Sequence, residues 1–505
     1  MEAEPSARRS ARNVRPVRLI DRFSEGTMPD STPTRPVILR AATVVDVSRG
    51  TLRRDVDVLI EIGRIQRIAP TGTLAIQGAD VVDAQGRFVV PGFVDAHAHP
   101  IGRESATENL ELMGAFGITG FRQMSGSPRL LDDRATGRLG LPSDGPSLLA
   151  LPGDLLTPMN AGTSQAAVAT LRAQKDQGAD FVKVVSVSPA VLLDVLDEAA
   201  RLSLPVAGHL PNGIDVREVS RRGMRCIEHL GPGVGITAAT ADDEPAILAE
   251  AAAGARTLKA PPIKLPGMGR MVENMLKKII VNPVTANKEV DIDLLSRADA
   301  TFDEDKARAV ARLFVENETW QCPTLIRVRT QQLADDPRHT GDPELRFVSP
   351  GTVAVWQKSN EKYAAQGDSA HATYRRTYSL QLRLTKIFDE EGVPLLVGTD
   401  SGGAGWVIPG HAIHQEFDEL AAAGLSPLSV LRAATSNAAA FFGTSSTQGD
   451  VAEGFDADLV LLGSDPLQSV DALHDIVGVV RAGRYRPASE LDAVKERIAA
   501  ARSIQ

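Results

Sequence analysis

The sequence predicts an α/β chain built on a (β/α)8 (TIM) barrel, with a small composite β-sandwich domain assembled from its two ends. Three observations carry that expectation. Eight short buried-type strands alternate with helical stretches across residues 93–445. β-rich material flanks that middle on both sides, and neither flank alone could bury a face. No Gly-rich phosphate loop follows the first strand of the middle, where an open doubly wound sheet normally carries one.

Residues 1–35 stand apart, with seven Arg and five acids among Pro, Ser and Thr. They read as a disordered or surface-lying extension. The Arg8-Arg9 pair lacks the apolar stretch of an export signal, and Met28 is an alternative start. From Pro36 the pattern turns to strand at Pro36–Val47, then to a hairpin of Val56–Ile62 and Arg64–Ile68 across Gly63, then to Gly86–Val90. Matching strands return at Asp458–Leu462 and Ile476–Val480, followed by the turn Ala482-Gly483. Residues 36–92 and 446–490 are therefore expected to form one β domain.

The barrel strands are expected at Phe93–His97, Ile118–Met124, Ser147–Leu151, Phe181–Val187, Pro205–His209, Cys226–Leu230, Gln321–Ile326 and Val393–Thr399. Helical patterns lie between them, at Ser164–Gln177, Pro189–Leu202, Asp303–Glu316 and Ser426–Ala440 among others. Two connections are too long for bare crossovers. They place insertions at about 231–300, with a basic amphipathic patch at Arg270–Lys278, and at about 327–380. Insertions after barrel strands lie on the catalytic face, so residues 250–300 are expected to cover its mouth.

Composition narrows the function. The formal charge of −9 and pI near 5.6 run opposite to the balance of a nucleic-acid binder. No apolar run reaches the roughly 18 residues needed to span a bilayer. The two cysteines, Cys226 and Cys322, offer no disulfide framework and fit a reducing compartment. A cytoplasmic enzyme with a small-molecule substrate is the expectation, with no nucleic-acid or membrane partner.

The chemistry concentrates at strand ends. In Asp95-Ala96-His97-Ala98-His99-Pro100, residues two apart face the same way, so His97 and His99 both point to the barrel axis. Lys183 interrupts the apolar run Phe181–Val185, where a buried ammonium is costly unless paired with a carboxylate or neutralised. A neutral lysine amine can take up carbon dioxide and become an anionic carbamate. His209 and His229 each end an apolar strand, where a single histidine is commonly a hydrogen-bonded core residue. Asp400 ends the last strand, where a turn or helix-capping role is the plain alternative. Together these six residues fall at the C-terminal ends of five strands, which a closed barrel brings to one mouth. Imidazoles and carboxylates suit zinc or a similar divalent ion.

This pattern resembles the amidohydrolase superfamily of metal-dependent hydrolases. The likeness is carried by Val90–Pro100, Gly178–Val185, Ile227–Leu230, Gly398–Ser401, Leu431–Thr435 and Gly454–Val460, and spans about residues 37–485. The imidazolonepropionase-like and Xaa-Pro dipeptidase branch is the most similar. It also contains amidases acting on N-acyl amino acids and ochratoxin-type amides. The resemblance implies one metal on His97, His99, Lys183 and Asp400, and a second on Lys183, His209 and His229. Lys183 would be carboxylated and, with a hydroxide, bridge the pair, zinc being the expected metal.

By the same resemblance, an amide or peptide bond in a dipeptide, N-acyl amino acid or aryl amide would be cleaved by that hydroxide. Asp400 would act as proton shuttle. Esters, lactones or phosphotriesters are the alternative substrates, and a scaffold without activity is the third reading. Arg327, Trp406, His411 and His414 follow the last two strands and are candidates for substrate binding, while His339, His371 and His474 read as surface residues. A homo-oligomer is the expectation for assembly. Two departures bear on substrate: Gln123 follows Arg122 where the superfamily often has Asp, and the 231–320 insertion has no counterpart.

Overall fold

The computed structural model describes residues 35–102, 105–254 and 281–503. The N-terminal extension, Met28 and the Arg270–Lys278 patch lie outside them. The first five strands are β1 (Val37–Asp46), β2 (Thr51–Glu61), β3 (Arg64–Pro70), β4 (Asp80–Asp83) and β5 (Phe88–Pro91). Seven parallel or bridging strands follow in the middle of the chain: β6 (Phe93–Ala98), β7 (Ile118–Gln123), β8 (Ser147–Ala150), β9 (Val182–Val184), β10 (Val206–Gly208), β11 (Met224–Glu228) and β12 (Trp320–Cys322). Three close the chain: β13 (Leu459–Leu462), β14 (Ile476–Arg481) and β15 (Arg484–Pro487).

The flanking strands make one mixed sheet in the order β15-β14-β13-β5-β1-β2-β3, with β4 on β1. The joint between the two chain ends is the antiparallel pair β5–β13, with Val90 opposite Val460. A sandwich needs two stacked sheets, and the structure has a single one that curls. The curl follows from β1, whose register shifts on either side of Ala42 and whose Ala41 has φ 56°. Its first half pairs with β4 and its second half with β5. Asp57, fully buried, accepts hydrogen bonds from Ala41 N at 3.0 Å and Gly72 N at 3.0 Å and so fixes this kink. The turns Ile62-Gly63 and Ala482-Gly483 have positive φ at both positions, the geometry of tight hairpin turns. The curl brings their tips together: a Cβ on Gly483 would stand 2.9 Å from Gly63 Cα, so the Gly483 tip needs glycine.

The middle is α/β. Strands β6-β7-β8 form one parallel sheet and β9-β10-β11-β12 another. Backbone bonds link them on one side, from Asp180 N to Leu151 O at 3.0 Å and from Leu156 N to Lys183 O at 2.9 Å. The expected eighth strand, Val393–Thr399, is not a regular strand. Pro394 has no N–H to give, and the segment forms isolated bridges with its neighbours rather than a regular ladder. Leu396 N donates to Gln321 O at 2.9 Å on one side, and Ala96 N donates to Val397 O at 2.9 Å on the other. The seventh strand also stops early, at Cys322, because Pro323 follows and Thr324 turns left-handed into the helix Leu325–Gln332. The long helix expected at Ser426–Ala440 breaks at Thr435 into Pro427–Ala434 and Ser436–Phe442.

The core between the parallel strands and their helices is aliphatic, with Val182, Val184, Leu192, Val195 and Leu384 all buried. Burial of each such side chain contributes roughly 1.5–3 kcal/mol. Both insertions fold into helices, including Glu244–Gly254, Glu289–Ala300, Pro350–Ala364 and Asp368–Glu390. They bury two of the histidines expected at the surface. His339 is 5% exposed, donates through Nε2 to Leu333 O, and stacks on Trp406; His371 is 9% exposed and stacks on Tyr363 at 4.3 Å. His474 pairs with Asp418 in a more open setting. No helix among the described residues is long and apolar enough to cross a membrane.

Asp57→Ala leaves the Ala41 and Gly72 amides without their acceptor. It is expected to lower stability by about 1–3 kcal/mol, read from denaturant unfolding, while leaving metal uptake unchanged.

Candidate metal centre

Strand alternation places Asp95, His97 and His99 on one face of β6 and its continuation. Asp95 is buried and binds across to the segment before Asp400, accepting from Thr399 N at 3.0 Å and Thr399 Oγ1 at 2.6 Å. Burial pushes its carboxyl up to about 7 despite those bonds. The link sets Asp400 opposite the two histidines. Asp400 Oδ1 lies 3.0 Å from His99 Nε2 and 3.5 Å from His97 Nε2; its Oδ2 lies 3.8 Å from His229 Nε2. The rings of His97 and His229 are 4.6 Å apart and those of His209 and His229 5.2 Å apart. His97, His229 and Asp400 present ligand atoms within 4.8 Å of one another.

Each imidazole has its Nδ1 engaged. His97 Nδ1 meets Glu228 Oε2 at 2.6 Å, and His209 Nδ1 meets Val185 O at 3.1 Å. His229 Nδ1 meets Thr324 Oγ1, whose only hydrogen goes to Pro323 O at 2.8 Å. These three partners can only accept, so Nδ1 carries the proton and Nε2 is left as a lone pair. His99 Nδ1 meets Ser125 Oγ at 3.0 Å. Burial pushes His97 down to about 4 and His209 and His229 well below their ordinary range, keeping the rings neutral. Neutral imidazoles with a bare Nε2 are the form that binds a metal ion.

Lys183 lies at the centre of β9, 2% exposed, and its Nζ makes no hydrogen bond to the described residues. Burial lowers its pKa to about 8, against the pull of Glu228 and Asp400 in the other direction. Asp400 itself is buried, which raises its pKa. His97, His99 and Arg327 outweigh that and hold it well below the usual carboxylate range. Backbone strain accompanies the cluster: His229, Leu230, Thr324 and Asp400 all have φ between 46° and 60°, a region costly for residues with side chains.

Two residues that carry this arrangement were not picked out from the sequence. Glu228 is fully buried and bridges His97 Nδ1 to Arg122, whose Nη2 donates to Glu228 Oε1 at 2.7 Å. Arg122 is buried beneath it, donates through Nε to Ala96 O, and lies against the rings of Phe181 and Phe441. Burial raises the Glu228 carboxyl, but Arg122 and His97 hold it well below the usual range. The available signal was a carboxylate and a guanidinium, each inside an otherwise apolar strand. Gln123, where the superfamily often has Asp, donates to Ser125 O and Oγ at 3.0 Å and so holds the partner of His99.

Of the four residues named for substrate binding, the structure brings only Arg327 to the cluster. It stands in the first turn of Leu325–Gln332, with Nε 2.6 Å from Asp400 Oδ2. Trp406 lies in the loop after Asp400, but its ring faces the insertion, against Trp356, with Nε1 donating to Asn360 Oδ1 at 3.0 Å. His411 is 3.5 Å from Asp342 Oδ2. His414 is buried with Nε2 at Phe116 O and packs near Phe93, which begins β6 at the end remote from His99. The helix His411–Ala422 turns both histidines to its own packing contacts rather than to the cluster.

The amidohydrolase family profile matches residues 381–485. A dihydroorotase of Mycobacterium tuberculosis is 31% identical over 195 residues, which are 35% of this chain and 41% of that enzyme. The chain spans less than half the length of the curated relatives it matches. Among solved structures, a bottromycin amidohydrolase shares the fold with a TM-score of 0.63 at 24% identity, over 93% of this chain and 91% of that one. A Xaa-Pro dipeptidase with bound methionine gives 0.56 at 16% identity, over 90% and 100%.

Glu228→Gln removes the anion shared by His97 and Arg122 and leaves a buried guanidinium without its counter-charge. Losses of about 10- to 100-fold in metal affinity are usual when such an orienting partner is removed. Chelator competition on the purified variant is expected to show a loss of that size.

Proposed function

We propose that this chain, which sequence and fold alike connect to the amidohydrolase superfamily and its Xaa-Pro dipeptidase-like branch, is a binuclear metal-dependent hydrolase. Its substrate is an amide or peptide bond in a dipeptide, an N-acyl amino acid or an aryl amide. The observation that carries the reading is that His97, His209 and His229 have Nδ1 tied to the protein while the Nε2 atoms of His97, His99 and His229 gather about Asp400. The names of the matched proteins, a dihydroorotase and a bottromycin amidohydrolase among them, support chemistry on carbon–nitrogen bonds.

The residues fit two cations. Three neutral imidazoles, the His99 ring and one ionised carboxylate supply donors. Lys183 Nζ, buried and without a hydrogen bond, is the atom that a carbamate would convert from a misplaced cation into a bridging anion. In this reading His97, His99, Lys183 and Asp400 hold one ion and Lys183, His209 and His229 the other, with zinc the expected metal. Such a pair, when bound, supplies a nucleophile at neutral pH and polarises the scissile carbonyl.

The chain's own groups do the rest. Asp400 is ionised at neutral pH, so its carboxylate can take a proton from the attacking water and return it to the leaving nitrogen. Arg327, buried beside Asp400, is placed to fix a substrate carboxylate with a charge-assisted bond. The bonds that link the two parallel sheets on both sides through 151–156 and 394–401 support a closed (β/α)8 barrel at 93–445. The curled sheet of 36–92 and 446–490 forms the second domain of this reading. A cytoplasmic location and a homo-oligomer belong to it as well.

A panel of dipeptides, N-acyl amino acids, aryl amides, esters, lactones and phosphotriesters tests the reading. Amide turnover that chelation abolishes and zinc restores is the expected result; turnover confined to esters, lactones or phosphotriesters would replace it. Lys183→Ala is expected to lose most bound metal and activity, and mass or crystallographic density of the loaded wild type to show a carboxylated lysine. Asp400→Asn is expected to keep much of its metal while kcat falls by about 10²–10⁴. Near wild-type turnover with metal bound would remove the proton-shuttle role.

A further inference from the structure

The helix Leu325–Gln332 is buried along its whole length, so the N–H groups of its first turn cannot turn to water. A threonine before such a helix ordinarily supplies an acceptor from its own side chain. Thr324 does not: its backbone is left-handed, and its Oγ1 is committed to His229 Nδ1 and Pro323 O. The acceptor comes instead from Glu416, in the helix His411–Ala422 that follows the Asp400 loop. Glu416 Oε2 accepts from Ile326 N at 2.7 Å.

A carboxyl is costly at this position. Glu416 is fully buried and shares its helix with the core side chains Ile413, Phe417 and Leu420. Glu228, Asp400 and Glu419 each pair with a guanidinium. Glu416 has no ion pair among the described residues, and its Oε1 has no hydrogen-bond partner there. Burial pushes its carboxyl well above the ordinary range, against the pull of the Ile326 and Leu325 amides. A leucine would avoid that cost. What the carboxyl adds is an acceptor at the helix end, and two groups of the site depend on that end. Thr324 sets the tautomer of His229, and Arg327 places Nε 2.6 Å from Asp400 Oδ2.

We propose that Glu416 is a positioning residue: by capping Leu325–Gln332 in place of Thr324, it frees the Thr324 hydroxyl to orient His229 and holds Arg327 against Asp400. The inference deepens the metal-dependent amide-hydrolase reading and rests on it for the roles of His229 and Arg327.

Zinc affinity, measured by chelator competition, tests the Thr324 half. Glu416→Leu fills the space without an acceptor and is expected to weaken zinc binding by about 10-fold. Thr324→Val is expected to do the same, and the double variant to bind no more weakly than either, because both act through one ring. Hydrolysis tests the Arg327 half. Glu416→Leu is expected to lower the kcat/KM ratio of an N-acyl amino acid over its C-terminal amide by about 10-fold. Glu416→Gln keeps an acceptor for Ile326 N and is expected to retain both properties. Glu419→Gln, which loosens Arg329 on the same helix, is expected to lower thermal stability and move neither readout. Should Glu416→Leu fail to fold, Glu416→Asp, one methylene too short to reach, carries the same expectations. A folded variant without the acceptor that keeps wild-type zinc affinity and substrate ratio overturns the role, as do equal losses in Glu419→Gln. Movement of one readout alone overturns the other half. Weakened zinc binding in a protein whose wild type hydrolyses no amide upholds the Thr324 half and removes the amide reading. Amide hydrolysis with neither readout moved removes the role of Glu416 alone.

Discussion

Tying one nitrogen of each imidazole to the protein decides what the other nitrogen can do. Glu228, the carbonyl of Val185 and the hydroxyl of Thr324 can each only accept from the histidine they meet. His97, His209 and His229 must therefore turn a bare Nε2 inward. The rest of the site follows from this. The His97, His209 and His229 rings can stand 4.6–5.2 Å apart because none carries a charge, and Asp400 faces the inner nitrogens of His97 and His229.

Charge inside the site is balanced in pairs, with one exception. Arg122 is matched by Glu228 at 2.7 Å and Arg327 by Asp400 at 2.6 Å. Among the described residues Lys183 Nζ has no such partner, although burial alone disfavours an ammonium there. A structural lysine would be expected to pair with a neighbouring carboxylate. The two carboxylates that act on it, Glu228 and Asp400, are already committed to guanidinium groups. The left-handed backbone at His229, Thr324 and Asp400 fits the same picture, since strain of this kind persists where the surroundings over-determine a functional geometry.

The residues that the sequence made legible share one property: each is a polar group breaking an apolar strand. His97, His99, Lys183, His209, His229 and Asp400 all do so. Glu228 also does, yet strand alternation assigns neighbours Glu228 and His229 to opposite faces. The positive φ at His229 changes the chain's direction and lets both serve the same cluster. The eighth strand was visible as an apolar run, but Pro394 withholds one N–H and the segment forms isolated bridges rather than a regular ladder. The single curled sheet depended on a kink at Ala41, which an alanine does not advertise. His339 and His371 looked exposed because their covers, Trp406 and Tyr363, lie on other elements of the fold. His411 and His414 were close to Asp400 in sequence, but the helix they sit on directs them to Phe116 and Asp342.

The proposed role of this cluster is to hold two cations. It is tested most directly by the metal content of the purified wild-type chain after loading and removal of free metal, measured by elemental analysis against protein concentration. The account expects two divalent ions per chain. A content that saturates at one, or binding no tighter than that of a protein without the cluster, would contradict it.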